Sequence, residues 1–508
     1  MKPILATAGL IFAFAASPLI WADVKPSALF SDNAVLQQGG DVPVWGTARE
    51  GEKVTVEFAG QSATTIAKDG KWRVMLKNLK ADGPHVLTIK GDNVVTVQNV
   101  VAGEVWLCSG QSNMAFPVVP PERVQPRQPL WEEEAAKADY PMIRHFRTGG
   151  GALDEPAAEV TGKWEVCTPV TVREFTAVGY FFARDLWVAR HAPVGLINSS
   201  VGATGAASWV SRETLLSSPE LKGNLDRQEK NKADYPAQLE KYKADEPRLL
   251  AEYNTAVAKA KADGKPEPRK PTPPRNPFTD AYRPTGYYNS KIFPLAPFAL
   301  RGVLWYQGES NSGHATEYRI LFGGLIAGWR ELWQKLELPF LFVQLPEYKG
   351  TPPDIREAQL RTWTDTPHTG MVVTVDCGDA ENIHPADKRP IGARLSLIAR
   401  ATVYGEDIVY SGPLFDAAKF TDGHAVLTFK HSGGGLLAKN GGLGGFTIAG
   451  ANKKFVAAKA EIIDDTVVVS SPEVSEPKAV RYGWDNVPVP SLYNKEGLPA
   501  SPFRTDLP

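Results

Sequence analysis

Glu104-Val105-Trp106-Leu107-Cys108-Ser109-Gly110-Gln111-Ser112-Asn113-Met114 decides how this chain is read. The apolar run reads as a strand buried on both faces, the kind a parallel sheet covered by helices requires. It runs to a glycine that stands two residues before a serine. Such a glycine lets the backbone turn tightly and presents the serine hydroxyl at the carboxyl edge of the sheet, where α/β sites form. The spacing is not the Gly-x-Ser-x-Gly elbow, because Asn113-Met114 follow the serine. By itself the block reads equally as a serine capping a helix start.

Working outward, apolar runs of the same kind recur at Val194-Gly195-Leu196-Ile197, Val303-Leu304-Trp305-Tyr306, Phe340-Leu341-Phe342-Val343 and Met371-Val372-Val373-Thr374-Val375. They alternate with helical stretches, which predicts a mainly parallel α/β domain over about residues 102–404. An insertion near 221–275 interrupts it. Its first part is Lys/Glu/Ala-rich and helical, with Tyr235, Leu239 and Tyr242 at helical spacing, and it ends in a Pro- and charge-rich linker. Before it, residues 23–101 alternate with period two, as in Thr55-Val56-Glu57-Phe58, between turn pairs such as Asp69-Gly70 and Asp82-Gly83. That pattern predicts a small β-sandwich-like domain. β patterns return over 405–508, either as a second β domain or as the completion of the first.

Composition narrows the function. The chain has 508 residues, 43% hydrophobic and 22% charged, with 56 Lys+Arg against 57 Asp+Glu. It is long enough for a large core without disulfide or metal staples, and its balanced charge argues against a nucleic-acid partner. Residues 1–22 have the basic start, apolar run and small-residue exit of a secretory signal, so the expected location is the periplasm or beyond. No later run approaches the length of a membrane span. Three widely spaced cysteines, Cys108, Cys167 and Cys377, exclude a disulfide framework, although one bridge plus one free thiol suits an oxidising compartment. No His/Asp/Cys cluster has metal-ligand spacing, so neither metal nor cofactor is expected.

Three more strand ends carry chemistry. Ser200-Val201-Gly202-Ala203-Thr204-Gly205 is a glycine-rich loop whose amides can donate to an oxyanion, or a plain tight turn. Trp305-Tyr306-Gln307-Gly308-Glu309-Ser310-Asn311 offers Asn311 as an amide donor and Glu309 as a carboxylate, which keeps a glycosidase reading open. Asp376-Cys377-Gly378-Asp379-Ala380-Glu381-Asn382-Ile383-His384-Pro385 places His384 beside acids in a loop, as a general base or a structural histidine. Arg356 can bind a carboxylate or be a helix-surface charge. Trp106 and Trp305, inside strand runs, read as core rather than sugar platforms. A serine, oxyanion donors, an asparagine and a histidine at four successive strand ends are together far more specific than any one block.

Gly110-Gln111-Ser112-Asn113-Met114, the Gln307-to-Asn311 block and Ile383-His384-Pro385 resemble the blocks of the SGNH hydrolases, and more closely the sialate O-acetylesterase-like carbohydrate acetylesterases. The likeness extends through Phe175-Thr176-Ala177-Val178-Gly179-Tyr180 and the tail from Arg481 to Arg504. It implies a flavodoxin-like three-layer α/β/α domain with β-sandwich modules, acting on an acetylated sialic acid or an acetylated plant-wall oligosaccharide. It implies Ser112 as nucleophile, His384 as base, and the Ser112 amide, Gly202 and Asn311 as the oxyanion hole. An acid usually stands three before the histidine. Here that is Glu381, with Asp379 and Asp376 as competitors and a Ser-His dyad held by a backbone carbonyl as the other outcome. Gln307 and Glu309 are expected to shape the substrate pocket. A second glycine of the family's pattern is Ala203 here. The different-class alternatives are a glycoside hydrolase using Glu309 and a non-catalytic carbohydrate-binding protein.

Overall fold

The computed structural model describes residues 23–439 and 441–506; the secretory-signal reading of residues 1–22 lies outside them. The architecture grows from one strand, β1 (Val94–Gly110). Its first residues alternate between exposed and buried, and from Val100 onward every residue is buried. That change marks a strand leaving a sheet with one wet face and entering a sheet covered on both. In its first half β1 pairs antiparallel with Asp82–Lys90 of the N-terminal β region. In its second half it is the middle of a parallel sheet. The expected boundary after residue 101 therefore falls inside a continuous strand, and a single hydrophobic core runs from Val24 to Ala399.

The parallel sheet adds β2 (Tyr140–Arg147), β3 (Trp164–Cys167), β4 (Val194–Ser200), β5 (Gly302–Tyr306), β6 (Phe340–Val343) and β7 (Thr369–Val372) in the order β3-β2-β4-β1-β5-β6-β7. All neighbours are parallel except β3, which runs antiparallel to β2. β4 and β5 flank β1 on opposite sides, so the strand order reverses direction at β1. A crevice opens at such a switch point, outside the carboxyl ends of the strands. The register keeps the three ends level, with Gly110 opposite both Ser200 and Tyr306. Gly110 has φ +132°, and a Cβ there would lie 2.1 Å from the Tyr306 carbonyl oxygen; only glycine lets β1 end so close to β5. Trp106 and Trp305 are fully buried in this core, each stabilising it by about 2–3 kcal/mol.

The helices are α1 (Ser112–Ala115), α2 (Ala177–Arg190), α3 (Pro219–Ala262), α4 (Ala315–Leu332), α5 (Pro353–Asp365) and α6 (Arg389–Thr402), with two further short ones over Pro129–Ala136 and Arg212–Leu216. α2 packs on α6, and α4 on α5. α3 is the helical part of the insertion. At 44 residues it is about 66 Å long, and it continues through Pro236 and Pro247. Only Leu221, Asn224 and Leu225, at its base, are buried. The Pro-rich return comes back to that base, where the Pro277 carbonyl accepts from Gln228 Nε2 at 2.8 Å and Phe278 meets Tyr235 edge-on. The rest is a projecting arm rather than a wall of the sheet.

The C-terminal β region builds two four-stranded sheets from its own strands and has its own core around Leu427, Ile448, Val469, Val480 and Phe503. Among the described residues its strands pair with one another and not with the N-terminal β region, so it does not complete that unit. Among the described residues no helix is long and apolar enough to cross a membrane. Cys108, Cys167 and Cys377 are three free thiols, without the bridge that an oxidising compartment allows.

Candidate active site

Four sequence blocks arrive at the carboxyl edge of the sheet. α1 begins at Ser112 directly after the Gly110 corner. Ser112 Oγ lies 2.8 Å from His384 Nε2. The Val201 amide donates to the Gly110 carbonyl at 3.1 Å, which ties the second block to the first. A Cβ on Gly202 would be 3.4 Å from Ser112 Cβ, so the two chains touch there. The neighbouring Ala203 has φ +61°, the left-handed conformation that a glycine would adopt without strain. The departure from the family's glycine is thus accommodated with the backbone shape kept.

Asn311 sits in the turn after β5. Its Oδ1 accepts from the Ala206 amide at 3.0 Å and from Gln307 Nε2 at 2.7 Å. With the oxygen doubly engaged, the amide nitrogen is turned the other way, available as a donor. Gln307 was expected at the substrate. It is instead fully buried, and its Nε2 also reaches the Thr204 carbonyl and Gln111 Oε1, both at 3.2 Å. Its reach is inward, and it holds the Asn311 amide oxygen.

Glu309, also expected in the pocket, accepts from Asn113 Nδ2 at 2.6 Å, and its second oxygen is buried without a partner. Burial pushes its carboxyl up, against the opposing pull of Asn113 and Lys388. It faces these two groups rather than an open cleft, which does not suit a glycosidase carboxylate. Arg356 is a plain correction. It is fully buried, and its guanidinium donates to the carbonyls of Leu345, Pro346, Asp485 and Asn486 at 2.8–2.9 Å. It fastens the C-terminal region to α5 and has no donor directed at a ligand carboxylate.

The acid behind His384 also differs from expectation. Glu381 pairs with Lys349 Nζ at 2.5 Å on the surface. Asp379 Oδ1 accepts the amides of Glu381 and Asn382, closing a turn. That turn points Asp379 at the backbone and throws Glu381 outward. Asp376 is paired with Arg394 at 2.6 Å. Among the described residues no carboxylate hydrogen-bonds His384. Its ring is instead placed through the backbone, where its amide donates to Asn382 Oδ1 at 2.9 Å, and it stacks 6.4 Å from Phe116. Burial, then the nearby Lys388 charge, hold its pKa below the ordinary 6.5. The imidazole thus stays neutral, and able to accept a proton, to lower pH than a free histidine.

Sequence reasoning missed Asn113 and Lys388. Asn113 Nδ2 also donates to the Ile383 carbonyl at 3.0 Å, and Lys388 Nζ donates to Asn113 Oδ1 at 2.6 Å. Adjacency to Ser112 was the one signal for Asn113; nothing marked a lone loop lysine as buried.

Known proteins resemble this chain over most of its length. Residues 287–396, which contain Gln307, Glu309, Asn311 and His384, match a family model described as carbohydrate esterase, sialic acid-specific acetylesterase. The sialate O-acetylesterase of Rattus norvegicus is 29% identical over 427 residues, covering 73% of this chain and 72% of the relative. That of Homo sapiens is 26% identical over 458 residues, covering 80% and 77%. The crystal structure of a carbohydrate acetylesterase from Xanthomonas citri superposes with a TM-score of 0.79 at 34% identity, covering 95% of this chain and 99% of that one. The likeness to that structure runs through the α/β sheet and both β regions alike, and the chain belongs to the sialate O-acetylesterase-like family of carbohydrate O-acetylesterases.

Proposed function

We propose that this protein is a serine esterase that removes O-acetyl groups from carbohydrates through an acetyl-serine intermediate, in the periplasm or outside the cell. The observation that carries the reading is the 2.8 Å contact between Ser112 Oγ and His384 Nε2 at the switch point of the sheet. The strand order and the two helix pairs, α2 with α6 and α4 with α5, support a three-layer flavodoxin-like SGNH domain with β modules attached.

A serine hydroxyl is a weak nucleophile at neutral pH and needs a base within hydrogen-bond reach. His384 Nε2 takes the Ser112 proton as Oγ attacks the acetyl carbon. The oxyanion that forms meets the Ser112 and Gly202 amides and Asn311 Nδ2. Collapse breaks the bond to the sugar oxygen, which leaves with the proton from His384. Water then attacks the acetyl-serine by the same relay, releasing acetate and restoring the serine. Without a carboxylate on its second nitrogen, the imidazolium is stabilised less than in a full triad, so the pair relies on position and on the oxyanion donors.

The four carbonyl bonds of Arg356 favour a neutral acetylated sugar, such as a xyloglucan or xylan unit, over a sialate. A sialate carboxylate calls for a directed guanidinium, and the cation expected for it is bound elsewhere. The test is acetate release from acetylated xyloglucan and xylan oligosaccharides beside acetylated sialic acids, for the parent and for Ser112→Ala. The parent should prefer the neutral substrates, and Ser112→Ala should lose nearly all turnover while remaining folded. Turnover by Ser112→Ala would end the serine mechanism, and a preference for sialic acids would overturn the substrate class.

A further inference from the structure

His384 stands in the irregular segment between β7, which ends at Val372, and α6, which starts at Arg389. β7 lies three strands from β1, about 14 Å across the sheet. The segment must therefore cross the ends of β6 and β5 to bring the imidazole to Ser112. Ordering such backbone costs on the order of 1 kcal/mol per residue, so it needs fastening where precision matters.

One side chain grips it on both sides of the imidazole. Asn113, the residue after the nucleophile, donates from Nδ2 to the carbonyl of Ile383, immediately before His384, and to Glu309 Oε1. Its Oδ1 accepts from Lys388, at the far end of the segment. Lys388 is 1% exposed, with its ammonium 5.1 Å from the Phe116 ring centroid and 5.7 Å from that of Tyr306. His384, Glu309, Asp387, Cys377 and Tyr306 are the titratable groups facing it, and burial pushes its pKa down to about 7. With the amide oxygen held by the ammonium, the NH2 group can only face Glu309 and Ile383.

We propose that Asn113, oriented by Lys388 and Glu309, is a positioning residue that holds His384 Nε2 at the Ser112 hydroxyl by fastening the base's segment to the nucleophile's turn. This rests on the reading of Ser112 and His384 as the reacting pair. None of the three side chains needs to touch the sugar, so their loss should appear in kcat rather than in KM.

The test uses the full chain and an aryl acetate. Asn113→Ala should lower kcat about 100-fold, the scale of a misplaced reacting group, with KM within about threefold. Lys388→Met should also lower kcat. It should move the acid limb of kcat/KM to higher pH, because a like charge near His384 has been removed. If Asn113→Ala does not fold, the kinetics of Lys388→Met decide. Parental kcat in both variants, losses confined to KM, or an unmoved acid limb in Lys388→Met would overturn the proposal. Turnover by Ser112→Ala would instead remove the reading beneath it, whereas an inactive Ser112→Ala beside a fully active Asn113→Ala removes this inference alone.

Discussion

The two halves of the active site are held by different means. On the side of the proposed nucleophile, Ser112, Gly202 and Asn311 follow three adjacent strands whose ends are level. Their positions are set by backbone register, the most rigid device a sheet has. On the base's side, His384 comes from an edge strand on a long irregular segment. It is held by side chains: Asn113 and Lys388 near the imidazole, Arg394 on Asp376 farther back, and the Trp131 indole on the Ala386 carbonyl. A site built this way puts precision where charge develops and leaves the proton acceptor dependent on a few hydrogen bonds.

That contrast can be broken most sharply at Asn311. Asn311→Ala removes one oxyanion donor without disturbing the sheet, and turnover should fall about 100- to 1000-fold. Steady-state kinetics on an aryl acetate check this, with circular dichroism to confirm the fold. A drop below tenfold would mean that the amides alone hold the oxyanion.

The base's side should yield next to Arg394→Met. Burial pushes the Asp376 carboxyl up, but Arg394 outweighs it and holds the carboxyl below its ordinary value. Stripping the guanidinium leaves a largely buried carboxylate unpaired, at about 3 kcal/mol. The expected result is a lower Tm and a kcat reduced about tenfold, both deficits relative to the parent shrinking as pH falls and Asp376 takes a proton. A variant with parental Tm and kcat would show that the segment is held without this pair.

The smallest effect separates the acids. Glu381→Gln and Asp379→Asn should each change kcat by less than about threefold, since neither carboxylate reaches the imidazole. The acid limb of kcat/KM should lie below pH 6.5 in the parent and in both variants, following the lowered His384 pKa. A large loss in Glu381→Gln, seen in the same pH–rate series, would return the orienting role to that residue.

The sequence was informative where physics leaves a periodic or local mark. Val303–Tyr306 and Phe340–Val343 are unbroken apolar runs because both faces of their strands are covered, and such runs read directly as parallel sheet. The site blocks were legible because each lies at the end of such a run. The expected boundary at residue 101 failed for a related reason. The pattern in β1 changes there because the strand enters a different environment, not because the chain leaves one unit for another. Glu381 looked right by spacing alone, and only the turn closed by Asp379 shows which way it points. Arg356 and Lys388 are the hardest cases. A cation in a polar stretch reads as solvated, and its burial depends on carbonyls or an amide supplied from distant positions, Asp485 and Asn486 for one and Asn113 for the other.

The strand that ends at the proposed nucleophile begins in another sheet, and this bears on how the protein can be shortened. Trimming the N-terminal β region at residue 101 would leave the central strand of the catalytic sheet with a frayed start and uncover apolar residues such as Ala102 and Phe298, which lie now sealed beside Leu36, Phe30 and Trp45. That region is the footing of the nucleophile's strand, so it should be inherited or lost together with the esterase rather than exchanged as a module.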